Sequence, residues 1–398
     1  MILGSVYRLV SMKILGNNKD KFGYYQVGDF KTYSKVESIE LHKIIGIHPR
    51  WIFNEDVFTR YDWTQEPNES LEQLYLKRAQ QIREDYDHIV LMFSGGADST
   101  NILDTFVDNG IKFEEILTFN YWQADPDPEA FFHSEQHRVA YPKIKKLQDR
   151  GIPFYHRNFD LSQLAFKVLQ DDYYLHNRAY MAQVHWGTSN ICKTYIREST
   201  PEYQKIMDSG KKMVFVWGSD KPRLYQVDGR YCLRFLDIVD AGVNTRTQIR
   251  NQENEYDELF YWAPECADML CKQGHVLKNF YEKHQLYSQD DYYSEKLTPL
   301  PELHQVFDND KTEDRLSYRN LINRLIYPTW DTNTFSLGKG HNVLISSRDT
   351  VWNKDRIFRQ QVDRLGQHLS GLPDYWKNDP ADIYKGLKLC LSPAYFLQ

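Results

Sequence analysis

The feature that most constrains this chain is a short apolar run that breaks abruptly into a Gly-rich turn. His88-Ile89-Val90-Leu91-Met92-Phe93 leads directly into Ser94-Gly95-Gly96-Ala97-Asp98-Ser99, and Thr100 to Val107 follows. A continuous apolar run of this length reads as a strand buried on both faces, as in a parallel sheet. The segment behind the turn reads as a helix. Such a strand must be covered by layers on each side, which points to an α/β domain.

The flanking sequence alternates in the same way. Ser70 with Gln73 is a capping-box pattern. It opens a helix with Leu71, Leu74, Ala79 and Ile82 at helical spacing, ended by Asp85 to Asp87. Phe113 to Asn120 reads as a strand, 129–149 as a helix, Pro153 to Phe159 as a strand and 161–208 as mostly helical. Lys212 to Trp217 is a further strand, ending at Gly218-Ser219-Asp220. Strand–helix alternation of this kind predicts a parallel sheet. Residues 1–67 read as a small β-rich region, in which KFGYYQVGDFKTYSK has the texture of a hairpin. The α/β domain is expected over 68–285, with the pattern turning helical after about residue 250, and 286–398 as a helical, loop-rich extension.

Composition narrows the classes of partner. Of 398 residues, 41% are hydrophobic and 26% charged, and the net charge is −6. These values suit a globular protein and do not favour a nucleic-acid or membrane partner. Tyr is abundant, at 28 residues, and packing is its expected role. The cysteines, at 192, 232, 266, 271 and 390, form no C-x-x-C pair. A disulfide framework or a four-cysteine zinc site is therefore not expected, and a reducing compartment fits. Arg8 and Lys13 interrupt the apolar start, so no signal peptide is read, and no apolar run is long enough to span a membrane. The expected location is cytoplasmic.

The turn itself carries the chemistry. Gly95 and Gly96 let successive N–H groups converge on one concavity. The helix behind them contributes unpaired amides and the positive end of its dipole. Together these cradle a phosphate or pyrophosphate. Ser94, Ser99 and Thr100 add hydroxyl donors. Asp98 would repel a bare phosphate, so its place implies a bridging cation such as Mg²⁺. The Walker pattern G-x-x-x-x-G-K-[ST] is not present here, and Leu337-Gly338-Lys339-Gly340 has no strand–loop–helix context.

The string SGGADS resembles the PP-loop of the N-type ATP pyrophosphatases, which cut ATP between the α and β phosphates. Within that superfamily the chain looks most like the synthetase domain of asparagine synthetase. A helix leads into the loop strand; MVFVWGSDKPR is similar to the family's second strand and its Gly-Ser-Asp loop; and APECADMLCK resembles its Pro-opened helix. The likeness covers roughly residues 70–285. It implies that Ser94, Gly95, Gly96, Asp98 and Ser99, with Ala97 and Thr100 in the same loop, hold pyrophosphate and Mg²⁺. Gly218, Ser219 and Asp220 would join them, Asp220 as a second carboxylate for Mg²⁺. Backbone groups of Leu117, Thr118 and Phe119 would receive adenine. Lys221 and Arg223, by charge, would neutralise developing pyrophosphate. The implied reaction is adenylation of a carboxylate or carbonyl, on a small carboxylate or a nucleobase-like molecule, for attack by ammonia or an amine.

Two departures bear on that expectation. The family's N-terminal glutaminase uses a Cys directly after the initiator Met, whereas this chain begins Met1-Ile2-Leu3 and its first Cys is Cys192. That glutaminase is not expected here. Phage-encoded relatives share the shortened layout, which would place the protein in a host cytoplasm. Lys221 also stands where the family has an acid. Two other readings stay open: a PP-loop enzyme that modifies tRNA or DNA bases, and a non-catalytic ATP-binding protein.

The remaining signals are weaker. His133 and His137, with Glu135 between them, do not match the metalloprotease order and read as a solvated face. Asp125, Asp127 and Glu129 form an acidic loop that would face a substrate or cap a helix. Cys192, near Lys193 and Arg197, could reach the loop mouth, with burial the better expectation. Cys266 and Cys271 read as residues of one helix.

Overall fold

The computed structural model describes residues 19–33, 35–120, 136–160, 196, 199–218, 223–237, 253–284, 318–329, 371, 373–377, 388 and 390–398. Its centre is a five-stranded sheet of β4 (His88–Met92), β5 (Glu115–Asn120), β6 (Tyr155–Asp160), β7 (Met213–Trp217) and β10 (Glu255–Leu259). Every pairing in it is parallel, in the order β10-β7-β4-β5-β6. β4 and β7 are buried along nearly their whole length, as the apolar runs HIVLM and MVFVW require.

Helices fill the connections. The chain passes from α3 (Leu71–Asp85) into β4, and through α4 (Ala97–Asp108) to β5. It continues through a π-turn (Gln136–Ala140) and α5 (Tyr141–Asp149) to β6, and α6 (Pro201–Asp208) leads into β7. The predicted capping box is present: the Ser70 side chain accepts from the Gln73 N–H and Gln73 accepts from the Ser70 N–H. From β4 the chain steps outward to β5 and β6, then returns to the other side of β4 for β7 and β10. The strand order therefore reverses between β4 and β7. In open α/β sheets, ligands bind at such a reversal, beyond the carboxyl ends of the strands.

β10 corrects the sequence reading, which expected helix after about residue 250. Its sequence, Glu-Tyr-Asp-Glu-Leu, carries three acids and hides the strand pattern. All three are buried, Glu255 at 2%, Asp257 at 2% and Glu258 at 7% exposure. Partners offset the cost of burying two of them. The Trp217 indole N–H donates to Asp257 Oδ1 at 2.8 Å. Glu258 takes Lys21 at 2.7 Å, Arg78 at 2.9 Å and the Tyr86 hydroxyl at 2.6 Å. Burial raises the Glu258 pKa, but the Lys21 and Arg78 charges outweigh it and leave the carboxyl below its ordinary value.

Two antiparallel sheets flank this core. β1 (Tyr24–Val27) and β2 (Phe30–Thr32) form the expected hairpin, and β3 (Arg50–Ile52) pairs on the other side of β1. The same region carries α1 (Lys35–Ile45) and α2 (Glu55–Phe58). The second sheet is a hairpin of β8 (Arg223–Val227) and β9 (Arg230–Arg234), closed by β11 (Tyr395–Phe396). The chain's last strand thus pairs with Leu233 and Cys232, 160 residues earlier in sequence. A buried ion pair joins the two small sheets: Lys35 Nζ lies 2.6 Å from Asp237 Oδ2, and the Tyr25 hydroxyl donates to the same oxygen at 2.7 Å. α7 (Ala267–Lys283) packs against α3, and α8 (Tyr318–Ile326) against α7. Among the described residues, no helix is long and apolar enough to cross a membrane.

Candidate active site

The turn after β4 sits at the strand-order reversal. Gly95 has φ of 83°, a left-handed conformation in which a side chain would be strained. Gly96 is the N-cap of α4 in extended geometry. The Ser94 and Ser99 hydroxyls lie 3.2 Å apart, and the Gly96 N–H donates to Ser94 Oγ at 3.2 Å. Ser99 Oγ also accepts from the Ser94 N–H at 3.3 Å. The two serines thus lock the turn upon itself. Ala97, Asp98 and Ser99 occupy the first helical turn, where amides have no partner four residues back. Thr100 Oγ1 is buried and has no hydrogen-bond partner among the described residues.

Gly218, directly after β7, closes the other side. A Cβ there would stand 3.0 Å from the Ser99 backbone nitrogen, 3.2 Å from Ser99 Cα and 3.2 Å from Ile102 Cδ1. Glycine is therefore required for the β7 end to approach the start of α4. The phosphate turn and Gly218, the first residue of the separately noted Gly-Ser-Asp string, thus meet although Ser99 and Gly218 are 119 residues apart in sequence.

β5 supplies the third wall. The Phe93 N–H donates to the Leu117 carbonyl at 2.9 Å, so that carbonyl belongs to the β4–β5 ladder. Thr118 is opposite Asn158 of β6. Backbone direction alternates along a strand, so Phe119 faces the β4 side again, past the end of β4. Of the three residues expected to receive adenine, Phe119 is the one whose backbone is directed there. Thr118 is fully buried, its Oγ1 2.9 Å from His156 Nε2 and 3.0 Å from Asn158 Oδ1. Burial pushes the His156 imidazole below its ordinary pKa.

No local sequence pattern marks the tyrosines beneath Asp98. Tyr327, one residue past α8, donates its hydroxyl to Asp98 Oδ1 at 2.5 Å. The Tyr261 hydroxyl donates to the Asp98 carbonyl at 2.9 Å and accepts from Asn101 Nδ2 at 3.0 Å. Tyr75 donates to the Ile326 carbonyl at 2.6 Å and accepts from Gln273 at 3.0 Å. Burial holds the Tyr261 and Tyr327 phenols well above their usual pKa, so both stay protonated donors. Only tertiary packing brings residues 75, 98, 261 and 327 together, which is why no local pattern marks them.

Ser94, Gly95, Gly96, Ala97, Asp98, Ser99, Thr100 and Gly218 are thus assembled at one point, with Leu117 to Phe119 on the adjacent strand. Ser219, Asp220 and Lys221 lie outside the described residues, as do His133, Cys192 and the 337–340 turn. Arg223 opens β8, opposite Arg234. Cys266 and Cys271 are buried, their thiols pushed up by burial to about 11 and about 12, as suits core residues rather than nucleophiles. No protein-family model and no curated protein matches the chain.

The donor set fits a phosphate with its cation. Left-handed Gly95, the first-turn amides of α4, the serine hydroxyls and the orphaned Thr100 hydroxyl are all groups that phosphate oxygens satisfy. Among the described residues no group of three or more metal-ligating side chains exists. Asp98 is the described carboxylate at the turn, consistent with a cation completed largely by phosphate oxygens and water.

Proposed function

We propose that the protein is an ATP-dependent, AMP- and pyrophosphate-forming ligase of the PP-loop type, similar to the synthetase domain of asparagine synthetase. The observation that carries this reading is the meeting of the Ser94–Thr100 turn with Gly218 at the strand-order reversal. The Ser94–Thr100 turn and Gly218, the first residue of the Gly-Ser-Asp string, converge there from the ends of adjacent parallel strands.

In this reading the turn amides and the Ser94 and Ser99 hydroxyls bind the β and γ phosphates. The Phe119 backbone receives the adenine edge. Mg²⁺, when bound, neutralises phosphate charge, and Asp98 and Asp220 would hold it. Arg223 and Lys221 would meet the charge that grows on the departing pyrophosphate. The activated group is a carboxylate or carbonyl oxygen, and ammonia or a substrate amine completes the reaction.

The test is release of AMP and pyrophosphate from ATP-Mg, with pooled amino acids and ammonia, then with nucleotides, then with tRNA. Release with one pool that disappears in Asp98→Ala supports the reading and names the substrate class. Formation of ADP, or equal release by Asp98→Ala, ends it.

A further inference from the structure

A cavity of about 410 Å³ opens where β3 and the start of α2 meet β9, Tyr375, Trp376, Lys388 and residues 390–393. It contains no residue of the Ser94–Thr100 turn. Its lining includes Arg50, Arg234 and Lys388 against one carboxylate, Glu55, on a chain whose net charge is −6. Arg50 is paired with Glu55 Oε2 at 3.3 Å. Arg234 uses Nε to donate to the Ser392 carbonyl at 3.1 Å, and neither Arg234 nor Lys388 has a carboxylate partner among the described residues.

Tyr375, also in the lining, is 61% exposed, high for so large a ring. Lys388 Nζ stands 4.9 Å from its centroid, and His48 lies 5.7 Å away. Trp376, 6% exposed and edge-on at 5.4 Å, buttresses the ring from within. The cavity therefore offers two things at once: cations with no carboxylate partner among the described residues, and an exposed aromatic ring. Cations alone would fit any anion. The ring asks for a flat partner as well. The volume is that of a small-ligand site.

We propose that this cavity binds a nucleoside monophosphate unit, its base stacked on Tyr375 and its phosphate on Arg234 and Lys388. The site is independent of the loop at Asp98. Its ligand is a free nucleotide or one unit of a single strand, which share this chemistry.

The test is calorimetric titration of the full chain, without Mg²⁺, with AMP, GMP, CMP and UMP, a pentanucleotide, ribose 5-phosphate and inorganic phosphate. A saturable site for at least one nucleotide is expected. Tyr375→Ala and Lys388→Gln, both at exposed positions, should each weaken it about tenfold, and Asp98→Ala should leave it in place. Tighter binding of the pentanucleotide would identify a strand as the source, and equal binding a free nucleotide; each supports the site. The proposal is overturned if no nucleotide saturates, if ribose 5-phosphate or phosphate binds as tightly as nucleotides, or if Asp98→Ala alone abolishes binding. Melting temperatures of the variants separate lost binding from lost fold.

Discussion

The hydroxyl of Tyr327 donates to Oδ1 of Asp98 at 2.5 Å, tying the end of α8 to the turn that opens α4. Because burial keeps that phenol protonated, it acts as a fixed donor and orients the carboxylate. Tyr327→Phe removes the hydroxyl and keeps the ring. Under the proposed reaction it should raise the Mg²⁺ concentration for half-maximal pyrophosphate release several-fold, with a smaller effect on the saturated rate. The lost hydrogen bond should cost about 1–2 kcal/mol of stability. A Mg²⁺ titration and a urea melt separate the two effects; an unchanged Mg²⁺ requirement would reduce Tyr327 to a packing role.

Gly218 faces Ser99 so closely that a single methyl decides the geometry. Gly218→Ala should push the end of β7 away from the turn, at a cost of about 1–3 kcal/mol from overpacking. The stabilisation of the fold by ATP-Mg should fall by more than that. Comparing the melting temperature with and without ATP-Mg checks this; an unchanged ligand-induced shift would mean the turn does not hold the nucleotide.

Lys35 and Asp237 are each 1% exposed and hold the two small sheets together. Lys35→Met leaves a buried carboxylate short of its counter-charge and should cost about 3–5 kcal/mol. Replacing both, as Lys35→Met with Asp237→Leu, should recover part of that loss. Chemical denaturation of the wild type, each single variant and the double variant measures the coupling; additive losses would show that the pair contributes nothing as a pair.

His88 and His156 set a pH dependence. Burial depresses both pKa values, and His88 Nε2 is buried without a partner. As pH falls below the ordinary histidine value of about 6.5, the unfolded chain takes up these protons first. Stability should therefore be complete above that pH and decline below it, down through the folded-state values. His88→Gln should flatten part of the decline in a series of melts from pH 8 to pH 5.

Much of the fold was legible because its signals are local. The apolar runs at 88–93 and 212–217, the capping box at Ser70 and the glycines at 95 and 96 each record a constraint that neighbouring residues impose on one another. β10 was not legible. Its acids look like surface until Trp217, Lys21 and Arg78 arrive from other elements to satisfy Asp257 and Glu258. The C-terminal strand was hidden for a similar reason, since its partner Leu233 lies far away in the chain.

By itself, then, the sequence determined the strands β4 to β7 of the parallel core, the helices that open at Ser70 and after Gly96, and where a phosphate-binding turn can form, because backbone sterics and burial period act over a few residues. The tertiary structure alone decided which strands adjoin, so that Gly218 meets Ser99, and which side chain orients Asp98. Those contacts join residues more than a hundred positions apart, and their energy exists only once the sheet order has brought them together.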